Sequence, residues 1–175
     1  MTRKKSLAGG LCFTLAAGTL LHFLYRWTGR CAAVGLFAPV NESIWEHLKM
    51  LVVPMLLYGL VERRGYAAAL PNFWPVRFLS ILLGMGILAG GYALYEAAGG
   101  RGSLAAGILD FLAGVGIAYL FSARLLQTAR FSSRGARQLT QLGIALLLAV
   151  LMVFTWFPPH CRLFLDSPSG RYGPV

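Results

Sequence analysis

Five long apolar runs, at 7–26, 44–61, 76–98, 104–126 and 139–157, constrain this chain more than any other feature, because each is close to the ~20 residues a helix needs to cross a bilayer. Inside hydrocarbon a backbone amide finds no water, so a run of this kind folds as a helix that satisfies its own amides. The expected fold is therefore all-α, an integral membrane bundle of five transmembrane helices. With 57% hydrophobic and 13% charged residues, and no charge-rich or Ser/Gly-rich linker, residues 1–175 read as one polytopic domain.

The first run follows Arg3, Lys4 and Lys5, the pattern of a secretory leader. No small-residue cleavage site precedes the aromatic-rich stretch from His22 to Trp27, so it is read as a span. Residues 31–40 are apolar but too short to cross, and Pro39 interrupts a helix running into the second span. That stretch is expected to be a re-entrant or interfacial segment.

The formal net charge of +10 is interleaved with spans rather than gathered in a soluble basic domain, so no nucleic-acid partner is expected and membrane lipids are. With the amino terminus inside, ten basic residues fall on the inner side, including Arg3, Lys4, Lys5, Arg63, Arg64, Arg77 and Arg137. Six fall outside: Arg26, Arg30, Lys49, Arg101, Arg162 and Arg171. The expected placement is a multi-pass protein of the cell membrane, amino terminus cytoplasmic and carboxyl terminus external.

On that topology the unusual polar groups collect at the outer helix ends: His22, Glu42, Glu46, His47, Glu96, Asp110 and His160. Glu62, beside Arg63 and Arg64, reads as an inner-surface charge, and Glu96 as a partner for Arg101 across a Gly-rich turn. Ionisable groups at depth cost about 2.5–3.5 kcal/mol each on insertion scales, so they face protein and pair. Gly10, Thr14, Gly18 and His22 recur every fourth residue, a small-residue stripe that turns His22 toward a neighbouring helix. Gly107, Asp110 and Gly114 share a face in the same way, and Gly86 and Gly90 have a spacing suited to close packing.

Ser43-Ile44-Trp45-Glu46 matches a Ser-x-x-Glu capping box, which satisfies free amides at a helix start. A cap uses one acid, however, and here Glu42 and Glu46 stand at i and i+4 with His47 following. His22, Glu42, His47 and His160 are the candidate metal ligands, because neutral imidazole with carboxylate suits zinc or a similar divalent ion. Glu46 and Asp110 are the candidate catalytic acids, and Asn41, Ser43 and Trp45 the candidate pocket or helix-start residues. The plainer alternatives are a cap at Ser43 and histidines in the headgroup layer. Cys12 reads as a packing residue, and a pair between Cys31 and Cys161 is left open.

The segments His22-Phe23-Leu24-Tyr25, Phe37 through Lys49, Pro158-Pro159-His160, Leu163 to Asp166 and Tyr172-Gly173 resemble, nearly end to end, an uncharacterised family of small bacterial multi-spanning membrane proteins. The resemblance implies membrane location and architecture but no activity. Arg26 departs from the pattern, standing where an acid is expected. Two function classes fit the residues. One is a metal-dependent membrane hydrolase acting on a lipid or lipid-linked substrate at the outer face. The other is a small-solute binding or transport protein that uses the same polar pocket.

Overall fold

The structure, a computed structural model, describes residues 2–100 and 102–175. Five of its helices are long and apolar enough to span a membrane: α1 (Arg3–Trp27), α3 (Ile44–Arg64), α4 (Phe73–Ala97), α5 (Leu104–Leu125) and α6 (Arg134–Trp156). The short α2 (Ala32–Gly35) lies between α1 and α3, and the only described strands are β1 (Leu165–Asp166) and β2 (Arg171–Tyr172), an antiparallel pair. The chain is all-α, as its apolar runs require. Several helices overrun the apolar runs by a turn, α6 beginning at Arg134 and α1 at Arg3, which carries basic side chains clear of the hydrocarbon.

α3 is the central helix. More than half of its apolar stretch is buried, 56% against 17–22% for the other four. Leu48, Leu51, Val52 and Met55 from α3 meet Ile81 and Leu88 from α4, Val115 and Ala118 from α5, and Leu151 from α6. The outward faces carry Leu57, Leu104, Leu109, Leu120, Leu139, Leu142 and Leu146, each at least half exposed, an apolar surface that is costly to leave in water.

Helix α1 packs through the predicted stripe, with Ser6, Gly10, Thr14 and Gly18 all buried. A methyl group on Gly10 would stand 2.8 Å from both the Tyr119 and Tyr58 rings, and one on Gly18 would strike the Met50 carbonyl oxygen. These glycines set how closely α1 approaches α3 and α5, and Thr14 shares a 3.0 Å hydrogen bond with the Tyr119 hydroxyl. In α4 the packing glycines are Gly84 and Gly91 instead of the expected Gly86 and Gly90, which face open space, as does Gly107 of α5. The expected Gly86–Gly90 pair therefore does not pack, and the two glycines of α4 that do lie seven residues apart on another face.

Prolines 158 and 159 stop α6, and the chain turns back through a 3-10 turn at Arg162–Phe164 into the β1–β2 hairpin. Phe164 seats its ring 4.7 Å from Trp45 and 5.5 Å from Phe154, so the tail is fastened over the start of α3. The end of α1, the start of α3 and this tail thus share one end of the bundle, hereafter the histidine end. Cys12, Cys31 and Cys161 are all free and exposed, so Cys12 does not pack inward.

Candidate metal centre

Three of the expected residues converge. His22 ends the α1 stripe, Glu42 lies in the bend before α3, and His47 sits on its first turn; one donor atom from each lies within 4.8 Å of the others. His22 Nε2 is 3.7 Å from Glu42 Oε1, and His47 Nε2 is 3.5 Å from Glu42 Oε2. The imidazole rings are 5.2 Å apart. All three side chains are part-buried, 24%, 33% and 34% exposed.

Local hydrogen bonds decide how His47 is presented. Its Nδ1 lies 2.8 Å from the Ser43 carbonyl, which can only accept, so Nδ1 carries a proton. In a neutral ring Nε2 then holds a lone pair aimed at the Glu42 carboxylate. That contact is repulsive unless Nε2 binds a second proton or a metal ion. A histidine whose far nitrogen donates to a backbone carbonyl is the usual arrangement around a ligated metal. His22 presents Nε2 to the same carboxylate, while its buried Nδ1 has no partner among the described residues.

Glu42 is held from behind. Its backbone N–H donates to Asp166 Oδ1 at 2.7 Å, and Asp166 is fixed in turn by the Ser169 N–H at 3.0 Å. Asn41 donates to the Gly173 carbonyl at 2.8 Å and accepts from the Ser43 N–H at 2.9 Å. The tail hairpin and the bend at 41–43 are therefore one unit. Where the imidazoles are protonated, the hydrogen bond from His47 draws the Glu42 carboxyl below its ordinary value against the opposing effect of burial, with the charges of His22, His47 and Arg26 adding to the pull. Arg26, one turn beyond His22 on α1, reaches Glu42 Oε1 at 3.2 Å.

The remaining candidates lie elsewhere. Glu46 is buried and points away from the histidines: it accepts from Lys49 Nζ at 2.6 Å and from the Val40 N–H at 3.0 Å. Lys49, fully buried, also donates to Thr155 at 2.6 Å and to the Gly35 carbonyl at 2.9 Å. Glu46 and Lys49 thus clamp the 31–40 segment to α3 and α6, and both Glu46 oxygens are engaged, Oε2 by Lys49 and Val40 and Oε1 by the Thr155 hydroxyl at 3.2 Å. Asp110 faces Gly91 of α4, so close that a methyl group there would collide with the carboxylate, and no hydrogen bond joins it to the histidines. His160 is exposed, stacked on Tyr172 at 4.6 Å. Trp45 belongs to the core.

Ser43 is the cap the sequence predicts, its Oγ accepting from the Glu46 N–H at 3.3 Å. The reciprocal half of the box is absent, because Glu46 reaches Val40 and Asn41 takes the Ser43 amide. Glu96 pairs with Arg162 at 2.8 Å, while Arg101, its expected partner, lies outside the described residues. Sequence reasoning missed Arg26, Lys49, Thr155 and Asp166 as parts of the polar framework. Arg26 had left a trace as the residue standing where an acid is expected, and Asp166 as the one acid in the tail.

At the opposite end, Glu62 is not a surface charge. It is fully buried and paired with Arg77, also fully buried, with Ser6 and Tyr66 hydroxyls both 3.4 Å from its Oε1. The Arg77 guanidinium lies under the Tyr119 and Phe73 rings, 4.9 and 5.5 Å from their centres, which stabilises the cation where its Nε and Nη1 have no hydrogen-bond partner among the described residues. Burial and the neighbouring Glu62 charge both drive the Tyr66 phenol upward.

Residues 1–174 match the family of unknown function DUF6512. The chain belongs to that family. Neither the curated proteins nor the solved structures contain a significant match to it. Membership of DUF6512 assigns no activity, so any chemistry has to be argued from the chain's own residues.

Proposed function

We propose that this membrane protein binds one divalent ion of the zinc class through His22, Glu42 and His47, and acts as a metal-dependent hydrolase on lipid or lipid-linked substrates at the outer membrane face. The observation that carries the reading is the spacing of the donor atoms. One donor atom from each residue lies within 4.8 Å of the others, and ligands at about 2.0–2.1 Å on a tetrahedral ion stand about 3.3 Å apart, so the three side chains need close by no more than about 1.5 Å to hold an ion. Two imidazoles and one carboxylate leave a fourth position open, the arrangement found at catalytic rather than structural zinc sites.

A zinc-class ion with an open position supplies hydrolytic chemistry by acidifying water and polarising the bond to be cut. The protein's part is to hold Glu42 through Asp166 and His47 through Ser43, so that the donors stay gathered and only a small closure is needed. Glu46 and Asp110 have no part in this version, since one is fully engaged by Lys49 and the other faces α4. His160 stands outside it as well.

Metal analysis of the purified full chain tests the proposal. About one zinc per chain, lost in His22→Ala and in Glu42→Ala with both variants still folded, is the expected result. A parent that takes up no divalent ion, yet melts higher in the presence of a small solute, would replace the hydrolase with the binding or transport class.

A further inference from the structure

Resting on the metal site proposed above, we infer that Arg26 makes that site selective for a phosphate monoester, with the ion on one side of the phosphate and the Arg26 guanidinium on the other. Arg26 follows His22 by four residues on α1, so both side chains leave the same helix face. Its Nη2 stands 3.2 Å from Glu42 Oε1, the same oxygen that faces His22 at 3.7 Å. The side chain is 69% exposed, and its one described side-chain hydrogen bond goes to Glu42. Most of its planar fork of donors is thus free, beside the cluster, where a bidentate pair with phosphate can form.

Charge narrows the substrate further. A divalent ion with one carboxylate and two neutral imidazoles keeps a single net positive charge, and Arg26 adds another. A phosphate monoester dianion cancels both, whereas a neutral ester leaves Arg26 uncompensated and a cationic group is repelled. The depth also fits a headgroup. Phe23 and Trp27 stack 5.6 Å apart beside Arg26, with Trp27 65% exposed, the kind of aromatic pair that sits at the headgroup level. Leu20 and Phe23, exposed on the same helix, lead from that level into hydrocarbon where acyl chains would lie.

The test uses the full chain in detergent, loaded with one equivalent of zinc. Dihexanoyl phosphatidate, inorganic phosphate and dihexanoyl phosphatidylcholine are titrated against the parent, Arg26→Ala and Arg26→Lys, with bound zinc measured throughout. Phosphatidate should bind the parent, at least about tenfold more weakly to Arg26→Ala, and with intermediate affinity to Arg26→Lys, which keeps the charge but loses the fork. Phosphatidylcholine should bind weakly to all three. Tighter binding of phosphatidate than of inorganic phosphate assigns the site to a lipid, and equal binding assigns it to free phosphate; either supports the phosphate chemistry. Full zinc occupancy with phosphatidate affinity unchanged in Arg26→Ala overturns the role of Arg26 and leaves the metal site standing. Absence of zinc from the parent removes the metal reading itself, so the two failures are told apart.

Discussion

Lys49 Nζ lies 2.6 Å from Glu46 Oε2 with both side chains out of solvent, and the same ammonium reaches the carbonyl of Gly35 at 2.9 Å. One cation therefore ties the short α2 segment to the central helix and, through Thr155, to α6. Charges at this depth persist because they are paired and hydrogen-bonded, and removing one partner leaves the other without compensation.

Lys49→Met should accordingly destabilise the protein by about 3–5 kcal/mol, the cost of a buried charge left alone. Adding Glu46→Gln removes that charge, so the double variant should recover much of the loss. Thermal melting in detergent reads both. A single variant that melts like its parent would show that the clamp contributes little and would return Glu46 to the list of free acids.

Ser43 offers a cleaner separation of cap from site. Its hydroxyl caps α3, but the group that holds His47 is its backbone carbonyl, which no side-chain replacement removes. Ser43→Ala should cost about 0.5–2 kcal/mol of stability while the folded protein keeps its metal content. Zinc loss in step with the lost cap would instead mean that the hydroxyl, and not the carbonyl, sets the site.

The five spans were legible because length and hydropathy alone determine them. The α1 stripe was legible too, since spacing by four is a property of the helix and fixes His22 against α3 without knowledge of the partner. Which acid would meet His22 was not legible. Glu42 and Glu46 are one turn apart, and the choice between them depends on Lys49, Thr155 and Asp166, contacts that cross from three to more than a hundred residues. Glu62 was misplaced for a related reason: the arginines beside it in sequence are not the one it pairs with, Arg77, which belongs to the next span. Lys49 and Arg77 also leave the surface charge count, one from each side, so the basic asymmetry keeps its sign.

That asymmetry predicts orientation. A reporter fused after Val175 should be external and one inserted at Gly65 cytoplasmic, because the end carrying Lys4, Lys5, Arg63, Arg64, Arg134 and Arg137 is retained inside. Accessibility labelling in intact cells decides it. A cytoplasmic Val175 would put the histidine end inside and sink the proposal of chemistry at the outer face, though not the metal site itself.

The approach of α1 to α3 gives the last prediction, because it is what brings His22 to Glu42. Gly18 stands one turn before His22, and a methyl group there would meet the Phe111 ring at 2.7 Å and the Met50 carbonyl closer still. A backbone oxygen cannot move aside as a flexible side chain can, so Gly18→Ala must push the two helices apart. The displacement acts directly on the 3.7 Å gap between His22 and Glu42, and a ligand set tolerates little error in position. Both stability and zinc affinity should fall. Gly90 provides the control, since an added methyl group there meets nothing within 4 Å and a helical alanine is favoured over glycine by roughly 0.5–1 kcal/mol. Gly90→Ala should melt at or slightly above the parent with zinc affinity unchanged. Competitive zinc titration alongside melting curves separates the cases: Gly18→Ala that loses stability yet binds zinc as the parent does would mean that α1 does not position the ligand.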